Sequence, residues 1–405
     1  AISFVSCDDW LDKTPKDRLY PDVYFKTEDE LRLFTNQFYN NLVPSAVDIY
    51  SESSDLIVKS DLMLEMSGQR IIPDEGNGWN FTALRDINFY LQYSHNCTEV
   101  NARNRYDGVA RFFRAYFYFE KVKRYGDIPW YDKALDSDDP ELYKARDSRE
   151  FVMQKMLEDL DFAIANLPKT KNAYVLTRWT ALALKSRVCL FEGTFRKYHG
   201  LEDYEKYLNA CVSASETFMN ESGYTLYKSG STPYRDLFAS INLQADEVIF
   251  GRDYEASLSV LHNVQNYENS TIMGRPGMNK KIVNSYLMAD GSRFTDKAGY
   301  ETMTFDQECQ NRDPRLAQTI RTPGYTRIGS TKKEAPNLAY TMTGYHLIKY
   351  SMTANYDEYN KSCNDIPLFR TAEVYLNFAE AKAELGTLKQ ADINKSIKLL
   401  RDRVG

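Results

Sequence analysis

The sequence predicts a mainly α-helical protein in which helical hairpins pack against an irregular, loop-rich region. Apolar residues recur at helical spacing in several segments, and two pairs of these segments are joined by short turns. The stretch 221–364 shows no such period and is rich in Gly, Pro, Asn and Ser. With 405 residues, 43% of them hydrophobic, the chain can bury a large core. We therefore expect a helical scaffold over 27–220 and 371–405 that carries the irregular region.

The N-terminal part of this scaffold begins with a capped helix. Thr27 is followed three residues later by Glu30, which is the spacing of a capping box, and apolar residues then recur every three or four positions. The segment WNFTALRDINFYLQYS, residues 79–94, shows the same helical period. Two helices are therefore predicted before residue 95.

The next helix carries an unusual number of rings. The segment ARFFRAYFYFEKVKRYGDIPW places six aromatic residues between Phe112 and Phe119, on one broad helical face. Such a face normally packs against other helices, which favours a core over a ligand surface. Gly126 is expected to end the helix, and Pro129 prevents it from resuming.

Two pairs of predicted helices resemble tetratricopeptide hairpins, 178–193 with 203–220 and 371–386 with 389–404. Small residues such as Ala379 and Ala381 stand where two helices would approach closely. The period between the pairs is irregular, so they predict hairpins rather than a regular array.

Composition excludes several classes of protein. The net charge of −6 argues against nucleic acid or an anionic membrane surface as the main partner, and it suits a neutral ligand. No run of about 18 apolar residues predicts a membrane-spanning helix. None of the six cysteines forms a CxxC pair, and the phosphate-binding, dinucleotide-binding, zinc-protease and serine-hydrolase motifs are missing. We therefore expect no cofactor.

Carboxylates leave two alternatives open. With 57 Asp and Glu residues, a pair at the separation used by glycoside hydrolases is one alternative. The acidic segment DSDDPE, residues 136–141, offers oxygen ligands for a structural calcium ion. It lacks the order of an EF-hand loop and its central glycine, which favours a solvated loop.

Cys7 is a candidate lipidation site. It lies between the apolar segment AISFVS and the polar segment DDWLDKTPKD, as at the end of a bacterial lipoprotein signal peptide. The charged beginning of such a signal is missing, so an ordinary cysteine is the alternative. On this basis we divide the chain into a signal remnant, 1–7, and a single domain, 8–405.

Two loops carry the residue types that bind sugars, namely an exposed ring for stacking and planar polar groups for hydrogen bonds. The first loop, 65–79, offers Gln69, Arg70, Asp74, Asn77 and Trp79, and the second loop, 262–275, offers Gln265, Asn266, Tyr267, Asn269 and Arg275. Because no apolar period surrounds Tyr267, we expect its ring to be exposed and to be the main stacking platform. For Trp79, a packed structural role is the alternative.

The chain resembles the SusD/RagB family, nutrient-binding lipoproteins of the outer membrane of Bacteroidetes. The similar blocks, in order, are SCDDWLDKTP, WNFTALRDINFYL, ARFFRAYFYFEKVKRYGDIPW, YLMADGSRF with NRDPRLAQTI, and TGYHLIKY with DIPLFRTAEVYLNFAEAKAELG. Five blocks in the same order are far more specific than any one of them. The resemblance implies tetratricopeptide-like hairpins packed against an irregular, ligand-facing part.

The resemblance also implies a role in polysaccharide utilisation without catalysis. The family captures oligosaccharides at the cell surface and delivers them to a SusC-like TonB-dependent transporter, which the lipid-anchored protein covers as a lid. Alternatives are a peptide ligand, as in some members, a helical scaffold that binds only proteins, or a glycoside hydrolase. Family members normally continue beyond LLRDRVG, so further C-terminal sequence is expected. Their ligand contacts vary with substrate, although loops near these two chain positions tend to face the ligand.

Overall fold

The computed structural model describes residues 24–51, 55–74, 76 and 78–404, without the side chains of residues 50 and 51. Over these residues the fold is mainly α-helical, as predicted, with two short two-stranded sheets. The helices are α1 (Glu28–Leu42), α2 (Leu64–Ser67), α3 (Thr82–Tyr93), α4 (Val100–Tyr125), α5 (Arg149–Asn166), α6 (Arg178–Tyr198), α7 (Tyr204–Glu221), α8 (Pro233–Ala239), α9 (Val264–Glu268), α10 (Lys280–Ser285), α11 (Phe305–Glu308), α12 (Pro314–Ala317), α13 (Thr371–Glu384), α14 (Gln390–Asn394) and α15 (Ile397–Asp402). The strands are β1 (Ile57–Val58), β2 (Val248–Arg252), β3 (Gly277–Met278) and β4 (Ile366–Arg370). No helix in this part of the chain combines the length and the apolar composition that crossing a membrane requires.

The chain folds into two compact units. One contains α1 and Phe81–Leu167, and the other contains Val43–Asn80 and the chain from Pro168 onward. The division of the chain into a signal remnant, 1–7, and a single domain, 8–405, stays a prediction, and Cys7 lies outside the described residues.

The core of the first unit is built on α4. Five of the six rings predicted as core are buried (Phe112, Phe113, Phe117, Tyr118 and Phe119), and Tyr116 is half-buried. The helix ends at Gly126, whose φ of +70° favours glycine. Trp130 then stacks on Tyr118 with ring centroids 4.3 Å apart, so the segment after the helix folds back onto it. The prediction that this cluster forms a core is confirmed.

A buried ion pair ties three helices of the first unit together. Arg114 on α4 donates hydrogen bonds of 2.6 and 2.8 Å to the carboxylate of Asp159 on α5. It also donates to the amide oxygen of Asn88 on α3 (3.3 Å), and that amide in turn donates to the carbonyl of Tyr131 (2.8 Å). Because the guanidinium is buried, its charge needs these acceptors.

The second unit contains both predicted hairpins, one of them altered. Helices α6 and α7 pack closely at Gly193, where a Cβ would lie 2.7 Å from Cδ2 of Leu208. The sequence predicts one continuous helix over 389–404. This prediction is wrong, because the structure divides the segment into α14 and α15. Ser396 has non-helical φ and ψ of −136° and −93°, and its hydroxyl donates to the carbonyl of Asp392 (2.6 Å). This local hydrogen bond competes with the helical pattern.

The irregular region 221–364 of the second unit is held by the two small sheets. Strand β2 pairs antiparallel with β4, with Val248 opposite Arg370 and an irregular register before Gly251. Strand β1 pairs antiparallel with β3, with Ile57 opposite Met278. The second pairing positions both loops that the sequence singled out.

Candidate functional site

The first and second loops adjoin the same small sheet. Ile57 pairs with Met278 in this sheet, and the backbone N–H of Ser60 donates to the carbonyl of Gly274 (2.7 Å). The chain therefore enters the first loop beside the end of the second. Residues far apart in sequence are brought together at this edge.

The polar residues of the first loop are exposed, with Gln69, Arg70 and Asp74 all open to solvent. Helix α2 ends at Gly68 (φ +70°), which turns the chain out of the helix. The guanidinium of Arg70 lies 3.5 Å from the carboxylate of Glu65, and both side chains are exposed. Such a surface pair is weak, so Arg70 remains available to a ligand. Asn77 lies outside the described residues.

Trp79 presents the exposed ring of the first loop. It is 39% exposed, whereas Trp130 and Trp179, the other tryptophans in the described ranges, are 6% and 3% exposed. Its backbone N–H donates to the carbonyl of Gly76 (2.9 Å) in a tight turn. The ring is therefore partly accessible for stacking.

Sequence analysis missed two apolar residues of the first loop. Ile71 and Ile72 are 84% and 78% exposed. Two consecutive β-branched residues inside a loop without apolar period were the available signal. Together with Trp79 they make the first loop an exposed surface with both apolar and polar groups.

The second loop differs from its prediction. Tyr267 is 4% exposed, so the prediction of an exposed ring is wrong. Residues 264–268 form helix α9, and the chain closes over the ring at Gly274, where a Cβ would lie 3.4 Å from Cε2 of Tyr267. Gln265 and Asn269, predicted as ligand contacts, are 0% and 7% exposed. Their burial removes all three from the surface.

A buried hydrogen-bond network explains the burial of these amides. The side chain of Gln265 accepts from the backbone N–H of Met352 (2.7 Å) and donates to the carboxylate of Asp357 (2.8 Å). Arg327 donates to the same carboxylate (3.0 and 3.1 Å) and to the amide oxygen of Asn269 (3.3 Å). Nε of Arg327 has no hydrogen-bond partner, but its two terminal nitrogens are both engaged. Hydrogen bonds between buried polar groups rigidify a structure. These residues therefore hold the second loop in place.

The remaining predicted residues of the second loop are half-buried and also make internal contacts. Arg275 donates to the carbonyls of Leu338 (2.8 Å) and Ala339 (2.9 Å). The amide of Asn266 donates to the carbonyl of Asp357 (2.7 Å). Both side chains join the second loop to segments that follow it by more than sixty residues.

Two titratable groups lie inside the same network. Burial raises the pKa of Glu268 to about 7, and burial lowers the pKa of His346 to about 4. Nε2 of His346 donates to the carbonyl of Glu268 (2.8 Å), while Nδ1 accepts from the backbone N–H of Asn337 (3.3 Å). This pattern requires the neutral imidazole with its proton on Nε2.

The acidic segment 136–141 is engaged locally. Asp139 accepts from the backbone N–H of Glu141 (2.9 Å) and caps a short 3₁₀ turn, and Nζ of Lys133 lies 3.0 Å from the Glu141 carboxylate. Across the described ranges, no group of three or more His, Cys, Asp and Glu side chains is arranged to hold a metal ion. The choice between a solvated loop and a calcium site stays a prediction.

The helical hairpins and the exposed first loop define a mainly α-helical protein with an irregular, loop-rich region. Two family models match the chain, the SusD family over residues 213–405 and a family described as starch-binding and associating with the outer membrane over residues 68–178. SusD-like protein P2 of Formosa agariphila is 25% identical, over 95% of this chain and 76% of that protein. The chain belongs to the SusD/RagB family, as predicted.

Solved structures share this fold. A SusD-like protein from Bacteroides fragilis superposes with a TM-score of 0.75 at 22% identity, covering 97% of this chain and 82% of that one. A SusD-like carbohydrate binding protein from the same organism also superposes with a TM-score of 0.75, at 18% identity, covering 94% and 79%. The mainly α-helical fold predicted from sequence is therefore the fold of this family.

Proposed function

We propose that this protein binds an oligosaccharide through its first loop and has no catalytic role. The observation that carries the proposal is the exposed ring of Trp79, which shares its loop with the exposed side chains of Gln69, Arg70 and Asp74. An indole face stacks on the C–H face of a sugar, and planar polar groups hydrogen-bond its hydroxyls. Support also comes from the matching family described as starch-binding and from the similar fold of a carbohydrate binding protein.

Binding experiments test the proposal directly. A glycan array identifies the ligand, and calorimetry with that glycan should show Trp79→Ala binding about ten- to a hundredfold more weakly, because a well-stacked ring contributes about 1–3 kcal/mol. Tyr359→Ala removes a ring that is 66% exposed outside this loop and should bind normally. Full affinity of Trp79→Ala would rule out the first loop. Release of reducing sugar by the purified chain would instead favour a glycoside hydrolase.

We infer that the protein works at the surface of the outer membrane, anchored by a lipid on Cys7, and passes its glycan to a SusC-like TonB-dependent transporter. Support comes from the family description of outer-membrane association and from the apolar-to-polar change of sequence at Cys7. Cys7→Ala should release the protein from membranes in cells that lack the transporter. Retention of that variant on the membrane would place the anchor elsewhere. Co-purification with the transporter tests the partner separately.

A further inference from the structure

A cavity of about 580 Å³ lies beside α10 in the second unit. Its walls come from α10, from the hairpin that follows and from the turn that ends at Tyr300. The volume falls within the range of about 300–1,000 Å³ that is usual for small-ligand sites. None of its lining residues belongs to the first loop, so any ligand here occupies a separate site.

The helical wall of the cavity is held rigidly. Lys281 and Asn284 are three residues apart on α10, which places them on the same side of the helix. Arg312 donates to the carbonyls of Val283 (2.6 Å) and Tyr286 (2.9 Å), and these bonds fix the end of the helix. The cavity therefore has a pre-formed wall.

A hairpin forms another wall of the cavity. Leu287 and Arg293 face each other in an antiparallel bridge, and the turn between them includes Gly291 at a φ of +83°. Phe294, which is buried, meets the ring of Tyr300 edge to face with centroids 5.7 Å apart. These contacts bring a guanidinium and a half-buried ring to one cavity.

The cavity is positively charged. Within the described residues, the exposed side chains of Lys281 and Arg293 make no ion pair or hydrogen bond. No carboxylate belongs to the lining residues, although the carboxylate of Glu301 accepts from the hydroxyl of the lining residue Tyr300 (3.3 Å). Two cations without a carboxylate partner favour an anionic ligand in this cavity.

We propose that this cavity binds an acidic saccharide that carries a uronic acid carboxylate. Arg293 and Lys281 provide charge-assisted hydrogen bonds to the carboxylate. The ring of Tyr300 packs against the sugar. The ligand inferred here is anionic, whereas the net charge of −6 favours a neutral glycan. At short range the positive charge of the cavity outweighs the net charge of the chain, because salt screens the more distant charges.

Calorimetry with a galacturonate trimer and its carboxyl-reduced counterpart tests the inference. The acidic trimer should bind, and both its reduction and the substitution Arg293→Gln should weaken binding about tenfold or more. Lys297→Gln changes an exposed neighbouring cation outside the cavity lining and should bind normally. Trp79→Ala should also bind the acidic trimer normally. The experiment can therefore refute the cavity site without refuting the first-loop site, and the reverse.

Three results would overturn the inference: no binding of the acidic trimer, equal binding of the reduced trimer, or undiminished binding by Arg293→Gln. A thermal melt of each variant confirms that it is folded. Because the Arg293 side chain is exposed, its replacement should leave the melting temperature unchanged.

Discussion

Replacing Glu268 by Gln removes a buried titratable group and keeps the shape of the side chain. Glu268 is 3% exposed, and its carboxylate accepts from the hydroxyl of Ser351 (2.7 Å) and the backbone N–H of Tyr350 (3.3 Å). Burial raises its pKa from the usual 4.5 to about 7, although these hydrogen bonds and the charge of Arg327 partly oppose the rise. Gln retains an oxygen acceptor for the same site.

The sign of the pH effect follows from the direction of this pKa shift. Between pH about 4.5 and pH about 7, the folded protein holds a proton on Glu268 that the unfolded chain has released. The contribution of Glu268 to the free energy of unfolding is therefore at its full value below pH about 4.5 and is lost as the pH rises through about 7. The difference between the two pKa values corresponds to about 3 kcal/mol, at about 1.4 kcal/mol per pH unit.

Urea unfolding of the natural protein and of Glu268→Gln, measured in steps of about one pH unit from about pH 5 to about pH 8, tests this effect. The free energy of unfolding of Glu268→Gln relative to the natural protein should rise by up to about 3 kcal/mol as the pH increases. Glu358→Gln, at an exposed position, is the control and should follow the natural protein. A difference between Glu268→Gln and the natural protein that stays constant with pH would refute the reasoning.

Two further predictions concern the first unit. Phe113→Ala should lower the free energy of unfolding by about 3–5 kcal/mol, because the ring is 1% exposed, whereas Tyr143→Ala, at 86% exposure, should change it by less than about 0.5 kcal/mol. Equal stability of the two variants in chemical denaturation would contradict the assignment of the ring cluster to the core. Asp159→Ala should cost about 3–5 kcal/mol, because it leaves the buried charge of Arg114 without its carboxylate. The double variant with Arg114→Leu should recover part of that loss, and a double variant less stable than the single one would count against the ion pair.

Helix signals in this sequence are local, and the structure follows them. Thr27 and Glu30 exchange the two hydrogen bonds of a capping box, at 3.3 Å and 3.0 Å, where the spacing predicts it. Helix α4 runs to Tyr125 and ends at Gly126, as its apolar period and its glycine predict. Caps, period and terminating glycines act within a few residues, so they can be read without knowing the rest of the fold.

The break at Ser396 shows where such local reading stops. The segment 389–404 keeps an apolar period, yet the hydroxyl of Ser396 bonds to the carbonyl of Asp392 and the chain leaves the helical conformation there. A serine hydroxyl can bond to the carbonyl four residues earlier in any helix. The spacing of apolar residues does not reveal at which serine the chain then leaves the helical conformation.

By itself the sequence determined the helical class, the core role of the aromatic cluster and the family. The first two depend on patterns contained within a segment, and the family depends on the order of several such segments along the chain. Only the tertiary structure decided which polar residues of the two loops are open to a ligand. Gln265 has the composition of a sugar contact, but its partners Met352 and Asp357 lie 87 and 92 residues away and hold it inside. Trp79 remains partly exposed in its loop. Exposure depends on what packs against a side chain, and for these loops the packing comes from distant segments.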